Sequence, residues 1–273
     1  MRLPTCLFLL ATTAATAAPS ALHDGEALTF KVGWGIFVHA GEIKISAQTE
    51  ASDGGRPKLH VTTTTATRGF ARALYPFEAR ADALLDARTG RLLTNVETSL
   101  APNKETKSSV TIDYDKAIAT YVNELNPAKN ASLPVPPGDP LDLIMSLVQT
   151  RMWDLKPGEK REALTLFDDE FYELTIYADR YEEVRTPLGR FNTLVLVPRM
   201  EKTPPKGMFK KGSVVSVWIS QDEQKLPVKF QVDFKFGAGV ATLIKYQPPT
   251  IAAAKEAKPA LAGPEANAPH PRS

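Results

Sequence analysis

Along most of this chain apolar and polar residues alternate, segment after segment, and short clusters of turn-forming residues separate the segments. Neighbouring side chains in an extended strand point to opposite faces, so period-two alternation describes strands with one buried and one wet face. Leu28-Thr29-Phe30-Lys31-Val32 and Gly41 to Gln48 follow that period. Between them Gly33-Trp34-Gly35-Ile36-Phe37-Val38 is denser in aromatic and aliphatic residues, with glycines that permit bends or bulges, so a curved first hairpin is expected. Further strands are expected at Leu59–Thr67, Glu78–Leu85, Leu92–Leu100, Thr106–Tyr114, Ile118–Leu125, Glu162–Phe167, Phe171–Tyr177, Tyr181–Arg185, Phe191–Val197, Val214–Ser220, Val228–Phe236 and Val240–Tyr246. Turn chemistry divides them, as at Ser52-Asp53-Gly54-Gly55, Asp86 to Gly90 and Thr186-Pro187-Leu188-Gly189.

Two segments break the alternation. Gly69 to Tyr75 spaces its apolar residues three and four apart, which predicts a short helix. Leu141, Ile144, Met145, Leu147, Val148, Met152 and Trp153 fall at helical spacing, with Asp139 expected as the N-cap and Pro140 in the first turn. A dozen or so strands joined by short turns, with two helices, favour one large curved antiparallel sheet. The expected fold is therefore mainly β, a half-barrel or open barrel with one or two helices packed on its concave face. The expected organisation is a signal peptide over 1–17, a single β-rich domain over 18–249, and an Ala, Pro and Lys rich disordered tail over 250–273.

The signal peptide is read from Met1 and Arg2 followed by an apolar stretch from Leu3 to Ala11 and small residues ending at Ala17. That stretch is far shorter than the about 20 residues a membrane span needs, and no later segment approaches that length. The expected destination is the periplasm or the exterior, as a soluble chain. Cys6 is the one cysteine in the sequence. Cleavage after Ala17 removes it, leaving no disulfide and no thiolate metal site. The chain has 33 Lys and Arg against 31 Asp and Glu, a balance that gives no reason to expect nucleic acid as a partner. The run Lys206-Gly207-Met208-Phe209-Lys210-Lys211 is a candidate contact for an anionic lipid or glycan, and its plainer reading is a solvated loop tip.

No motif for a known chemistry is present. His23, His39, His60 and His270 are scattered, with no metal-ligand spacing, and no zinc, EF-hand or phosphate-loop pattern occurs. No G-x-S-x-G elbow occurs. Carboxylates brought together from distant strands are harder to dismiss, as glycosidases use such pairs. Asp139, Asp142, Asp168, Asp169, Glu170, Glu173 and Asp222 are the candidates, each with a plainer task as a cap or turn residue. No cofactor is expected.

Trp34, Trp153 and Trp218 sit in apolar segments assigned to the sheet or its covering helix. If the sheet curls round that helix, these three, with Phe37 and Met145, are candidates to line an apolar cavity, and ordinary core is the plainer reading.

The ordered segments resemble the exported bacterial proteins grouped as domain of unknown function 3108. The resemblance rests on Gly25 to Phe30 with Gly33-Trp34-Gly35-Ile36, on Asp139 to Leu147 with Arg151, on Thr186 to Phe191, and on Val217 to Asp222 ending in Leu226-Pro227-Val228. It departs at His39-Ala40, where the pattern expects a glycine nearer the start of the second strand. The resemblance implies an exported β protein and supplies no catalytic residues. A more distant similarity is to lipoprotein-carrier half-barrels, whose concave face is plugged by helices; fold alone does not fix function. The leading expectation is a non-enzymatic binder of a lipid-like or amphipathic envelope molecule, or of an envelope protein. The rivals are a glycan-acting envelope enzyme with paired carboxylates and a protein scaffold.

Overall fold

The alternating segments become strands and join edge to edge into one sheet. The computed structural model describes residues 20–50, 56–235 and 237–250. The expected signal peptide with Cys6, the turn at Ser52 to Gly55, Phe236 and the tail beyond Thr250 lie outside the described residues.

Among the described residues fifteen strands form the sheet. One arm runs through β1 (Ala27–Trp34), β2 (Phe37–Glu50), β3 (Lys58–Thr67), β4 (Glu78–Asp86), β5 (Leu92–Ala101), β6 (Lys104–Asp113), β7 (Ile118–Asn123) and β8 (Ala131–Pro134). The other holds β9 (Leu141–Asp142), β10 (Lys160–Phe167), β11 (Glu170–Thr186), β12 (Gly189–Arg199), β13 (Val214–Ser220), β14 (Pro227–Phe234) and β15 (Gly237–Gln247). β1 pairs with both β2 and β15, so the first and last strands join the arms, while β8 and β9 remain as free edges. The result is an open half-barrel. All neighbouring strands are antiparallel except β9 and β10, which run parallel.

The curl follows from irregularities placed where the sequence carries glycine or breaks its period. The β1–β2 ladder slips between Val32 and Trp34, as the glycine-rich hairpin suggested. Gly41 lies so close to β3 that a Cβ there would come within 2.8 Å of the Ala66 carbonyl oxygen, so no larger residue fits without moving backbone. The break expected between Tyr177 and Tyr181 is no turn: β11 is continuous and absorbs the interruption as a bulge between Ala178 and Arg180. β8 and β9 have four and two residues, too few to show a period, and β9 takes up Leu141, which its spacing had assigned to the helix.

The helix α1 (Gly69–Leu74) forms as expected but buries none of its side chains. The helix α2 (Leu143–Val148) is shorter and starts later than its apolar stripe predicts. Its N-cap is Asp142, not Asp139: Asp142 Oδ1 accepts hydrogen bonds from the backbone N–H groups of Ile144 at 2.9 Å and Met145 at 3.0 Å. The reason is tertiary, because Leu141 and Asp142 are held extended against β10 and helix can begin only after them. Asp139 instead pairs with Arg91, Nε to Oδ1 at 2.7 Å. The α-helix then tightens into a 3₁₀ turn over Gln149–Met152, and Trp153 is already extended.

α2 fills the hollow. Met145 and Val148 share one buried cluster with Ile45, Val61, Ala83 and Val110 of the first arm. Leu147 belongs to a second cluster with Leu174, Ile176, Leu196, Val217 and Ile219 of the other. One buried ion pair ties this plug to the chain's lead-in: Arg151 Nη1 donates to Glu26 Oε1 at 2.6 Å, with the two residues 8% and 1% exposed.

Candidate functional site

Where the two arms meet, the plug does not fill all the space. Phe30, Val32 and Trp34 of β1, Ile43 and Ile45 of β2, Phe230, Val232 and Phe234 of β14 and Ala241 of β15 face Ile144 and Leu147 of α2 across a cavity of about 240 Å³. Period two explains the β1 contribution: residues 30, 32 and 34 share one face. The lining is almost wholly apolar, and a void of this character stays dry and takes apolar guests.

The mouth is made by Trp34 and Met208. Trp34 is 44% exposed, and its ring packs on Phe234 with centroids 5.2 Å apart. The ring also lies across Gly239, where an added Cβ would come within 3.0 Å of it, so glycine at 239 lets the indole lie flat against β15. Met208 belongs to a 3₁₀ turn, Gly207–Phe209, in the β12–β13 connection, and is half-buried against the cavity.

The structure does not bring the three tryptophans together. Trp34 alone among them lines the cavity. Phe37 pairs with Trp34 across the hairpin, but its ring stacks on Phe70 of α1 at 5.9 Å. Met145 is 1% exposed and packs as plain core. Trp153 leaves the plug helix and lies under the Arg161 guanidinium at 4.7 Å, beside an open hollow at the opposite end of the half-barrel. Trp218 is 4% exposed, capped by Lys229 Nζ at 4.0 Å from its ring centre, with its indole N–H unpartnered. It sits between Val217 and Ile219 on a strand buried on both faces, where even the serines Ser216 and Ser220 are buried, so polarity does not reveal which side faces the cavity.

The run from Lys206 to Lys211 divides. Lys206 pairs with Glu170 and lies over the Tyr172 ring at 5.5 Å, while Phe209 packs into the second core cluster. Lys210 and Lys211 are exposed. The segment is therefore a bracket with Met208 and Phe209 turned inward. Alternation could not reveal this, because the loop has no period.

The hollow beside Trp153 is larger, about 790 Å³, but open, and its central charges are spent on the Arg151–Glu26 pair. Of the candidate carboxylates, Asp142 and Asp168 both act on Glu97, and several of the others are engaged elsewhere. Asp142 caps α2, Glu170 pairs with Lys206, Glu173 pairs with Lys202, and Asp222 receives the backbone N–H groups of Gln224 and Lys225 at 3.1 Å. One carboxylate whose proton affinity is strongly raised was not foreseen. Glu97 of β5 is pushed up to about 7 by burial, then by the charges of Asp142 and Asp168, against a hydrogen bond from Asn95 Nδ2 at 2.7 Å. Asn95 Oδ1 is buried without a partner. Among the described residues no group of three or more His, Cys, Asp or Glu is arranged to hold a metal ion.

This architecture has relatives. Residues 29–244 match the family described as "Protein of unknown function (DUF3108)". The chain belongs to that family. The DUF3108 match spans the sheet from β1 to β15, cavity included. Among solved structures the chain is similar to a beta-barrel-like protein of domain of unknown function DUF1849 from Brucella abortus, at 7% identity and a TM-score of 0.53. That likeness covers 84% of this chain and all of the other, and it shows a shared fold alone. No curated protein matches the chain. Among the described residues no helix is long and apolar enough to cross a membrane.

Proposed function

We propose that this DUF3108 protein is a non-catalytic carrier or binder, in the periplasm or outside the cell, for a lipid-like or amphipathic envelope molecule. The observation that carries the reading is the apolar cavity between α2 and β1, β2, β14 and β15, opening at Trp34 and Met208. Its about 240 Å³ is just below the roughly 300–1,000 Å³ of sites that enclose whole small ligands, so it suits one apolar tail with the polar end left outside. Methionine is a suitable closure, since its unbranched side chain adopts many rotamers and repacks around differing shapes. The exported setting comes from the signal-peptide pattern over 1–17.

The rivals have less support. None of the candidate carboxylates lines this cavity, and Asp139, Asp142, Glu170, Glu173 and Asp222 are engaged in caps, turns and ion pairs. A scaffold that recruits a partner strand needs a long open edge, whereas β8 has four residues ending in proline and β9 has two.

The test is native mass spectrometry of the mature chain, Ala18 to Ser273, incubated with palmitate. One bound palmitate per chain is expected. Ala241→Phe fills the cavity from β15, and the adduct should disappear while circular dichroism is unchanged. Palmitate bound equally by parent and A241F, or by neither, overturns the reading.

A further inference from the structure

Six large apolar side chains stand out of the rim where the cavity opens. Ile36 at the β1–β2 tip is 89% exposed and Val38 is 73% exposed. Phe70, Leu74 and Tyr75, in and just after α1, are each more than half exposed, and Trp34 completes the group. α1 adds nothing to the core. A six-residue helix is too short to stand alone, and it is fastened to the rim by the Phe37–Phe70 stack and by Thr67 Oγ1, which donates to the Tyr75 carbonyl at 3.0 Å. The fold thus holds a contiguous apolar surface in water, the mark of a docking face.

We propose that this rim docks on an anionic phospholipid bilayer. Charge is the first reason. Arg68 and Arg72 are paired with Glu42 and Glu78. Lys210, Lys211 and Lys235 are exposed and, among the described residues, have no carboxylate partner. Lys235 follows Phe234, whose ring touches Trp34, and its Cε lies 3.2 Å from a Cβ placed on Gly212, so the three lysines border the apolar tip. Apolar insertion combined with a basic fringe is how proteins hold an anionic membrane surface. Shape is the second reason: a fluid bilayer accepts a protruding tip such as Ile36 without a matching recess. Continuity is the third. Trp34 belongs both to the patch and to the cavity mouth, so an apolar tail passes between bilayer and cavity without crossing water. This last point rests on the proposed cavity function; the docking itself does not.

The test is co-sedimentation of the mature chain with vesicles of phosphatidylglycerol and phosphatidylethanolamine, against vesicles of phosphatidylcholine alone. Binding to the anionic vesicles is expected, weakened roughly fivefold for each lysine removed in K210A and K211A, and lost in the I36D/V38D double variant. These positions are exposed, and circular dichroism should confirm an unchanged fold. No anionic binding by the parent, or full binding by I36D/V38D, overturns the proposal. So does a dimer in sedimentation equilibrium that I36D/V38D dissolves, since that assigns the patch to a second copy. Vesicle binding without palmitate uptake leaves docking standing and sinks the cavity reading; uptake by I36D/V38D without vesicle binding separates them in the expected way.

Discussion

Replacing Arg151 with Met should be among the most damaging single changes in this protein. The guanidinium makes four contacts: Glu26 Oε1 at 2.6 Å and the carbonyls of Ala21 at 3.2 Å, Lys225 at 3.1 Å and Gln224 at 2.6 Å. It binds the plug to the lead-in and to the β13–β14 turn. Methionine keeps much of the stem but leaves the Glu26 carboxylate buried and without its cation. Removing one partner of a buried pair costs about 3–5 kcal/mol, or roughly 10 °C in melting temperature at about 2–4 °C per kcal/mol for a chain of this size. Urea denaturation at pH 7 reads the loss. The companion variant Glu26→Leu with Arg151→Met removes both charges and should recover most of it, because an apolar pair spares the cost of desolvating ions. The wild-type pair also sets an acid limit. Burial works to raise the Glu26 carboxyl, but hydrogen bonding with His23 and the charge of Arg151 outweigh it and hold it below the ordinary 4.5. Its contribution is therefore full at neutral pH and is lost as pH falls through that lowered value. A loss under about 1 kcal/mol in R151M, or a double variant no better than the single one, refutes the argument.

Glu97→Gln should stabilise the protein above neutral pH. Because folded Glu97 holds its proton up to about 7 against an ordinary 4.5, native stability falls as pH rises across that window. The gain from E97Q should reach up to about 3 kcal/mol at pH 8 and vanish near pH 4, read from urea midpoints; equal gains at both pH values contradict it. Asp142→Ala should cost about 1–2 kcal/mol through loss of the α2 cap. Asp142→Asn keeps the cap and removes a buried charge, so it should cost little and should lower the Glu97 titration midpoint in carbon-detected NMR. An unmoved midpoint rules out the coupling.

Much of the fold was legible because strands with one wet face write their orientation into alternate residues. β1 shows Leu28, Phe30 and Val32 on one face, and that face does line the hollow. Turn chemistry was equally open: Asp86 receives the N–H groups of Arg88 and Thr89, and Asp222 those of Gln224 and Lys225, the same device at two hairpins whose sequences echo each other. Legibility failed where the period was absent or unnecessary. β13 is buried on both faces, so Trp218 gave no sign of lying outside the cavity. Met208 sits in an aperiodic loop, and nothing local marks it as part of the mouth. Glu97 reads as one polar residue among several on β5; its raised proton affinity comes first from burial and then from the charges of Asp142 and Asp168, far away in the chain.

The sequence by itself determined a curved, mainly β sheet with a helical plug, since periodicity and turn residues act over a few neighbours and are complete within each segment. Tertiary structure alone decided that β1 closes against β15, that α2 starts at Asp142 instead of Asp139, and that one tryptophan of three reaches the cavity. Each of those outcomes depends on contacts between segments distant in the chain, up to the pairing of Ala27 with Gln247. No local pattern encodes the distance between them.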